Sequence, residues 1–160
     1  MPIIDVVNPV QEHHAVKCGV DVIRRGQVLR MSTSSDNVTG VTAGSPGSAG
    51  DGCTAIWCEK GYTPHGIAMD DARRGETLRM LVFGFCEYLL TDGNVREGDG
   101  LYVGDLVGLA TGFNRHDRAA ISNSAAVLYG DDDLMYLEPF GTALQADSSA
   151  ALTAAWVRFK

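Results

Sequence analysis

The residues of this sequence that could carry out chemistry are few and scattered. Its histidines are not spaced as H-x-x-x-H or H-x-E, the patterns that would direct two ligands to one metal ion. Asp131, Asp132 and Asp133 could offer oxygen ligands to a calcium ion, but three consecutive carboxylates are more typical of a solvated turn. We therefore predict no metal site. The histidines predicted to lie at the surface or in loops are His13, His14, His65 and His116.

Two glycine-containing segments match functional motifs only in part. Gly50-Asp51-Gly52-Cys53-Thr54-Ala55 fits G-x-G-x-x-A, yet it precedes a predicted strand instead of opening a helix after one. The sequence around Ser48 looks like a nucleophile elbow, but Pro46 occupies the position that requires glycine. Because no nucleophile, base and electrophile come together, we predict no catalytic residues, no cofactor and no enzymatic activity.

Composition and charge exclude several classes of protein. The formal net charge of -7 argues against nucleic-acid binding, because that binding depends on Lys and Arg that neutralise phosphates. No basic region precedes a long apolar stretch at the N-terminus, and no apolar run approaches the ~20 residues needed to span a bilayer. We expect neither a cleavable signal nor a membrane partner. The four cysteines lack zinc or disulfide spacing and are predicted to be reduced core thiols: Cys18, Cys53, Cys58 and Cys86.

The elements that would position these residues are predicted to be short strands. Runs of β-branched and aromatic residues are separated by Gly, Asp, Asn and Ser, and helical periodicity is nearly absent. With 160 residues, 45% of them apolar, the chain can bury one proper core. We predict a mostly β fold, a compact β-barrel or β-sandwich with little helix. The predicted strands are Val16–Ile23, Gln27–Ser32, Cys53–Glu59, Gly66–Met69, Glu76–Leu90 with a break at Gly84, Gly100–Val103, Leu106–Ala110, Ala125–Tyr129, Leu134–Leu137 and Ala154–Phe159.

Three segments depart from this pattern. Residues 1–15 are predicted to form an extended N-terminal arm, ahead of a single β domain at 16–160. Residues 32–52 are rich in Ser, Thr, Gly and Asp, which predicts a flexible surface loop. The segment Ser148–Ala155 fits a short helix or a loop equally well. The arm could dock on a partner or form the first strand of the domain itself. Its predicted partner-binding residues are Pro2, Ile3, Ile4, Val6 and Val7.

Two segments in the first half of the sequence are similar to two segments in the second half. The stretch Ile23–Leu29 aligns with Val95–Leu101, through the shared pattern of charged residue, Gly, polar residue, any residue and Leu. Further along, Gly66–Met69 aligns with Gly141–Leu144, and each is followed by a predicted strand. Chance similarity between hairpin turns explains the same matches, because such turns reuse a few residue types. A real repeat predicts two related β units in one barrel or sandwich.

The segment Gly66–Met80 is the most distinctive in the chain. A Gly-x-Ala strand runs into Asp71-Ala72-Arg73-Arg74-Gly75-Glu76, and the strand that follows carries Gly84. Later comes Gly98-Asp99-Gly100-Leu101-Tyr102, and an earlier Gly26-Gln27-Val28-Leu29 corresponds to an opening hairpin. In the order of these motifs, from Val20 to Gly112, the chain resembles the small tailed-phage capsid decoration, or cement, proteins of the DUF2190 type.

That resemblance implies a structural virion protein. Such a protein is a β-rich homotrimer, made in the host cytoplasm, that sits on the outer surface of the head and bridges subunits of the major capsid protein. A rigid trimer attaches strongly because three weak contacts act together. A protein that binds only the assembled head also stabilises the head in that state. The resemblance implies no active site and no cofactor.

Two alternatives come from other classes. Asp70-Asp71-Ala72-Arg73-Arg74-Gly75-Glu76 is loosely similar to a strand of dUTPase-like trimeric nucleotide hydrolases, with Asp70, Asp71 and Glu76 as the residues to test. A carbohydrate- or host-binding β-module would be marked by exposed Trp or Tyr on a concave face. Trp57 and Trp156 lie in apolar strands, which predicts that both are core residues.

Overall fold

A computed structural model of the chain describes residues 11–36, 50, 52–113 and 138–159. Within these ranges the protein consists of strands, turns and connecting segments and has no helix, so no described helix could cross a membrane. The strands are β1 (Glu12–Cys18), β2 (Val22–Ile23), β3 (Val28–Met31), β4 (Thr54–Trp57), β5 (Gly66–Ala68), β6 (Ala72–Arg73), β7 (Thr77–Leu90), β8 (Gly100–Val103), β9 (Ala110–Phe113), β10 (Gly141–Ala143) and β11 (Leu152–Arg158).

Most of these strands belong to one large sheet. Its order is β1-β4-β3-β5-β7-β11-β10-β8-β9, and β2 pairs with β6 in a separate small sheet. Strand β1 is hydrogen-bonded to β4 and also, antiparallel, to β7. The first half of the large sheet therefore folds back on itself. The mostly β prediction is confirmed, and the arrangement is sandwich-like rather than a closed barrel.

Strands β3 and β5 separate two groups of buried apolar side chains. Val28 and Ile67 belong to one core cluster, whereas their chain neighbours Leu29 and Ala68 belong to the other. Successive side chains of a strand point to opposite faces, so both faces of these strands are covered. The middle of β7 is shared between the two cores in the same way, at Met80 and Leu81.

The described residues contain two similar four-strand units that meet where β7 pairs with β11. The first unit is ordered β4-β3-β5-β7 and the second β9-β8-β10-β11. In the first, the Gly26 amide donates to the Ala68 carbonyl at 2.8 Å. In the second, the Gly98 amide donates to the Ala143 carbonyl, also at 2.8 Å. These bonds join the two aligned segments within each unit, so the repeat is confirmed.

Each unit opens on the same four-residue turn, at Arg24–Gln27 and at Arg96–Asp99. The amide of the fourth residue donates to the carbonyl of the first at 3.1 Å, and the first residue's amide donates to the side chain of the fourth at 2.8 Å. A third copy, Arg73–Glu76, leads into β7. The glycine in third position has φ between 81° and 92°, a backbone conformation that favours glycine. This geometry explains why a glycine followed by a polar residue recurs in the three turns.

Several predicted elements differ from the structure. The predicted strand Val16–Ile23 is interrupted by a bend after Cys18, and β1 begins earlier, at Glu12. Strand β7 continues through Gly84, which adopts φ 127° within the strand. The predicted strand Leu106–Ala110 is mostly a turn that leads into β9.

The segment Ser148–Ala155 forms a turn followed by the start of β11, and no helix. The turn is closed by the Ala151 amide, which donates to the Ser148 carbonyl at 2.9 Å. Strand β11 then begins at Leu152. Predictions that lie outside the described residues include the strands Ala125–Tyr129 and Leu134–Leu137, most of the loop 32–52, and the partner-binding residues Pro2, Ile3, Ile4, Val6 and Val7.

Candidate functional site

A groove of about 700 Å³ lies on the outer face of β8, β10 and β11, the face turned away from the core. Leu101, Ala143 and Val157 point into the core from these strands. Because side chains alternate, Thr142 and Trp156 point outward, and they are direct cross-strand partners. We call this the aromatic groove. Its lining includes Tyr62, Thr63, Tyr102, Glu138, Pro139, Phe140, Thr142, Trp156, Arg158 and Phe159.

Trp156 presents part of its ring to the groove and is 41% exposed. Its indole packs edge-to-face against Phe83, with ring centroids 5.4 Å apart and an interplanar angle of 83°, which fixes its orientation. The prediction that Trp156 is a core residue is therefore wrong, because β11 turns Ala155 and Val157 inward instead. Trp57 is partly buried, and its indole N–H donates to the Val22 carbonyl at 3.0 Å.

Tyr62 forms another part of the groove wall and is 50% exposed. The guanidinium of Arg30 lies 4.0 Å from the centre of its ring, a cation–π contact. Arg30 is only 3% exposed and donates two hydrogen bonds of 2.8 Å to the carboxylate of Asp36. This hydrogen bonding holds the pKa of the Asp36 carboxyl well below its usual value. The Arg30–Asp36 ion pair, in which the arginine is buried, thus contacts the ring of Tyr62 through its guanidinium.

Replacing Asp36 by asparagine is expected to destabilise the protein by about 2 kcal/mol at neutral pH, since it leaves the Arg30 charge buried without its partner. The pKa of Asp36 is lower in the folded than in the unfolded protein. Its ionised carboxylate therefore stabilises the folded protein fully above the unfolded pKa of about 4, and this stabilisation is lost as the pH falls toward the pKa of the folded state. Urea unfolding of both proteins from neutral to acidic pH measures this. The difference between them should shrink in acid.

A matched control for this prediction is Asp21→Asn. Asp21 pairs with Arg74 at an exposed site, where ion pairs contribute little. This variant should unfold at nearly the wild-type urea concentration. Equal losses in the two variants, or a loss in Asp36→Asn that stays constant in acid, would show that the buried pair does not support this part of the fold.

The carboxylates named for the hydrolase alternative each accept hydrogen bonds from an arginine residue. Asp70 accepts two hydrogen bonds from the Arg79 guanidinium, at 2.7 and 2.9 Å, and these lower the pKa of Asp70 to about 2. Asp71 accepts the Arg25 amide at 2.7 Å, and Glu76 accepts the Arg73 amide at 2.8 Å. Asp71 and Glu76 line a smaller depression of about 390 Å³ beside β2 and β6. None of the three lines the aromatic groove.

The cysteines are free thiols, and Cys18, Cys58 and Cys86 are buried as predicted. Burial raises the pKa of Cys58 to about 12 and that of Cys86 to about 11. The prediction of a core position is wrong for Cys53, which is exposed because it lies in a bend just before β4.

The histidines within the described ranges do not line the groove. His13 and His14 are exposed on β1, and the Nδ1 atom of His65 accepts the Met31 amide at 3.3 Å. His116 and the residues Asp131–Asp133 lie outside these ranges. In the part of the chain that the structure describes, no three His, Cys, Asp or Glu side chains are grouped to hold a metal ion.

Comparison with known proteins gives a likeness of fold. No protein-family model matches the chain, and no curated protein matches it in sequence. Among solved structures, the chain is similar to the head fiber gp8.5 N base of bacteriophage phi29. The TM-score is 0.54 at 10% sequence identity, over 92% of this chain and 94% of that one. The two proteins therefore share a fold along nearly their whole lengths. Membership in the DUF2190 type stays a prediction.

Proposed function

We propose that the chain is a structural protein of a tailed-phage virion, which binds the outer surface of the assembled head as a decoration protein. The observation that carries this proposal is the fold shared with a phage head fiber base over nearly the full length of both chains. The order of the motifs in Gly66–Met80 and Gly98–Tyr102 supports it independently, because it resembles that of phage decoration proteins. The proposed partner is the major capsid protein.

A homotrimer suits this role. Three identical footprints raise the effective concentration of the second and third once the first has bound, so attachment is strong without large individual interfaces. Binding only to assembled and expanded heads would stabilise that state by mass action. The net charge of -7 keeps such a protein soluble at high concentration before it meets the head. Light scattering coupled to gel filtration should give the mass of a trimer.

The N-terminal arm is the proposed capsid contact, through Pro2, Ile3, Ile4, Val6 and Val7. An extended apolar segment can add a strand to a free sheet edge of a partner, with alternate side chains filling pockets. Strand β1 begins at Glu12, and the side-chain amide of Gln11 donates to the Phe85 carbonyl at 2.9 Å. The arm would therefore leave the domain from a fixed point.

Co-sedimentation with heads tests the proposed function. Protein mixed with expanded heads that lack it should pellet with them, saturate at a fixed ratio to the major capsid protein, and raise the temperature at which the heads break open. Unexpanded heads should bind less, because the proposed footprint exists only after expansion. Failure to pellet with expanded heads at any concentration would contradict a decoration role.

An enzymatic role is not part of this proposal. Asp70, Asp71 and Glu76 each accept a backbone hydrogen bond from an arginine residue, which suits structural carboxylates. Incubation with dUTP and magnesium should release no pyrophosphate. If the protein releases pyrophosphate and an Asp71→Asn variant does not, the result would favour the nucleotide-hydrolase alternative instead.

A further inference from the structure

The aromatic groove occupies a face that the other unit of the repeat buries. In the first unit, Val28 and Ile67 occupy this face of β3 and β5, and both are fully buried in a core cluster. The aligned positions of the second unit are Gly100 and Thr142. A Cβ at Gly100 would lie 3.2 Å from the Cβ of Pro139, so glycine leaves room for the proline in the groove wall. The second unit has thus exchanged apolar bulk for an open, partly polar surface.

The groove combines aromatic rings with hydrogen-bonding groups of both kinds. Trp156 and Tyr62 present their rings, the Thr142 hydroxyl both donates and accepts, and Arg158 and Glu138 add a donor and an acceptor. A sugar ring has the complementary chemistry, with C–H groups on one face that stack on an aromatic ring and hydroxyls at its edge. We propose that the aromatic groove binds a neutral oligosaccharide.

Size and charge favour this ligand over others. The volume of about 700 Å³ lies within the range of about 300–1,000 Å³ that is usual for small-ligand pockets and has room for a short oligosaccharide. A purely apolar ligand would desolvate the charged side chains of Arg158 and Glu138 without offering them any hydrogen bond. Two residues of opposite charge, Arg158 and Glu138, line this groove. Opposite charges also give no preference for an anionic sugar.

Both stacking rings are held in place before a ligand arrives. Phe83 packs edge-to-face on Trp156, and the Arg30 guanidinium lies against Tyr62. Rings that are already ordered lose little conformational entropy on binding. This site goes beyond a decoration role, since attachment to a head requires no sugar. It would let a protein on the virion surface bind polysaccharide on a cell.

Tryptophan fluorescence offers a direct test, because the chain has 2 tryptophans and Trp57 lies outside the groove. In a Trp57→Phe variant, Trp156 is the sole reporter. Titration with cellohexaose, maltohexaose, chitohexaose and an array of neutral bacterial oligosaccharides should give a saturable change with one class of sugar. Calorimetry on otherwise wild-type protein should then show that Trp156→Ala weakens binding roughly tenfold or more, while Trp156→Phe keeps most of the affinity.

Two further variants separate the groove from general effects on the fold. Tyr62→Ala should also weaken sugar binding, whereas Leu106→Ala, at a residue that is 59% exposed outside the groove, should not change it. Trp156→Ala should still pellet with expanded heads, so this proposal and the decoration role can fail separately. Absence of binding across the whole array, or equal binding by Trp156→Ala, would overturn the proposal. If the wild-type protein binds no sugar and the Trp156→Ala variant no longer binds heads, the groove would instead be a contact with a capsid protein.

Discussion

Replacing Gly26 by alanine is expected to destabilise the protein by about 3 kcal/mol or more, whereas the same change at Gly98 should cost about 1 kcal/mol. The two glycines occupy equivalent turns, with φ of 92° and 85°. A Cβ at Gly26 would overlap the carbonyl oxygen of Tyr88, whereas a Cβ at Gly98 would meet nothing within 4 Å. Both variants therefore carry the strain of the left-handed conformation, and only Gly26→Ala adds a clash with backbone.

Urea unfolding monitored by tryptophan fluorescence measures this difference. Gly75→Ala is a second control, because Gly75 sits in the third copy of the turn with φ 81° and open space around it. It should lose about as much stability as Gly98→Ala. Similar losses at Gly26 and Gly98 would mean that the first turn is not packed between β5 and β7 in the way its hydrogen bonds to Ala68 and Leu90 indicate.

Removing residues 1–9 is expected to abolish binding to expanded heads while leaving the melting temperature and the oligomeric state nearly unchanged. The deletion spares Gln11 and the whole of β1, so the described sheet keeps all its pairings. If the arm supplies the capsid contact, its loss removes the backbone and side-chain interactions of every footprint in the trimer at once. Co-sedimentation with heads and thermal unfolding report the two properties separately.

Point substitutions sharpen this second prediction. Changing Ile4 and Val6 together to Asp should reproduce the loss of head binding, whereas Asp5→Ala, between them, should not, because alternate residues of a strand fill pockets on one face. A truncated protein that unfolds or aggregates would show that the segment forms a strand of its own domain. Truncated protein that still binds heads would place the capsid contact elsewhere.

The turns and the repeat were predictable because their determinants are local. A glycine in third position and a polar side chain in fourth position fix Arg24–Gln27 and Arg96–Asp99 through bonds within four residues. The pairing of β7 with β11 is different, because it joins segments more than sixty residues apart. Similarity between the two halves indicated related units, but not that they meet at this pair. The similarity also did not show that β1 would pair with both β4 and β7.

The groove could not be predicted because β11 has an ambiguous pattern. Ala154 and Ala155 are equally small, so the sequence does not show which face of the strand is inward, and Trp156 next to Val157 is typical of a core. The structure turns Val157 inward and Trp156 outward. Leu106 and Val107 misled the prediction in a similar way, since an apolar pair that indicates a strand lies exposed in the turn between β8 and β9.

The most direct test of a head-surface role is an electron cryo-microscopy reconstruction of expanded heads with and without the added protein. We expect extra density on the outer surface, three-fold symmetric and touching neighbouring major capsid subunits, into which the two-unit sandwich fits. Heads that show no extra density at saturating protein, or density confined to the inside of the shell or to the tail, would contradict the proposed function.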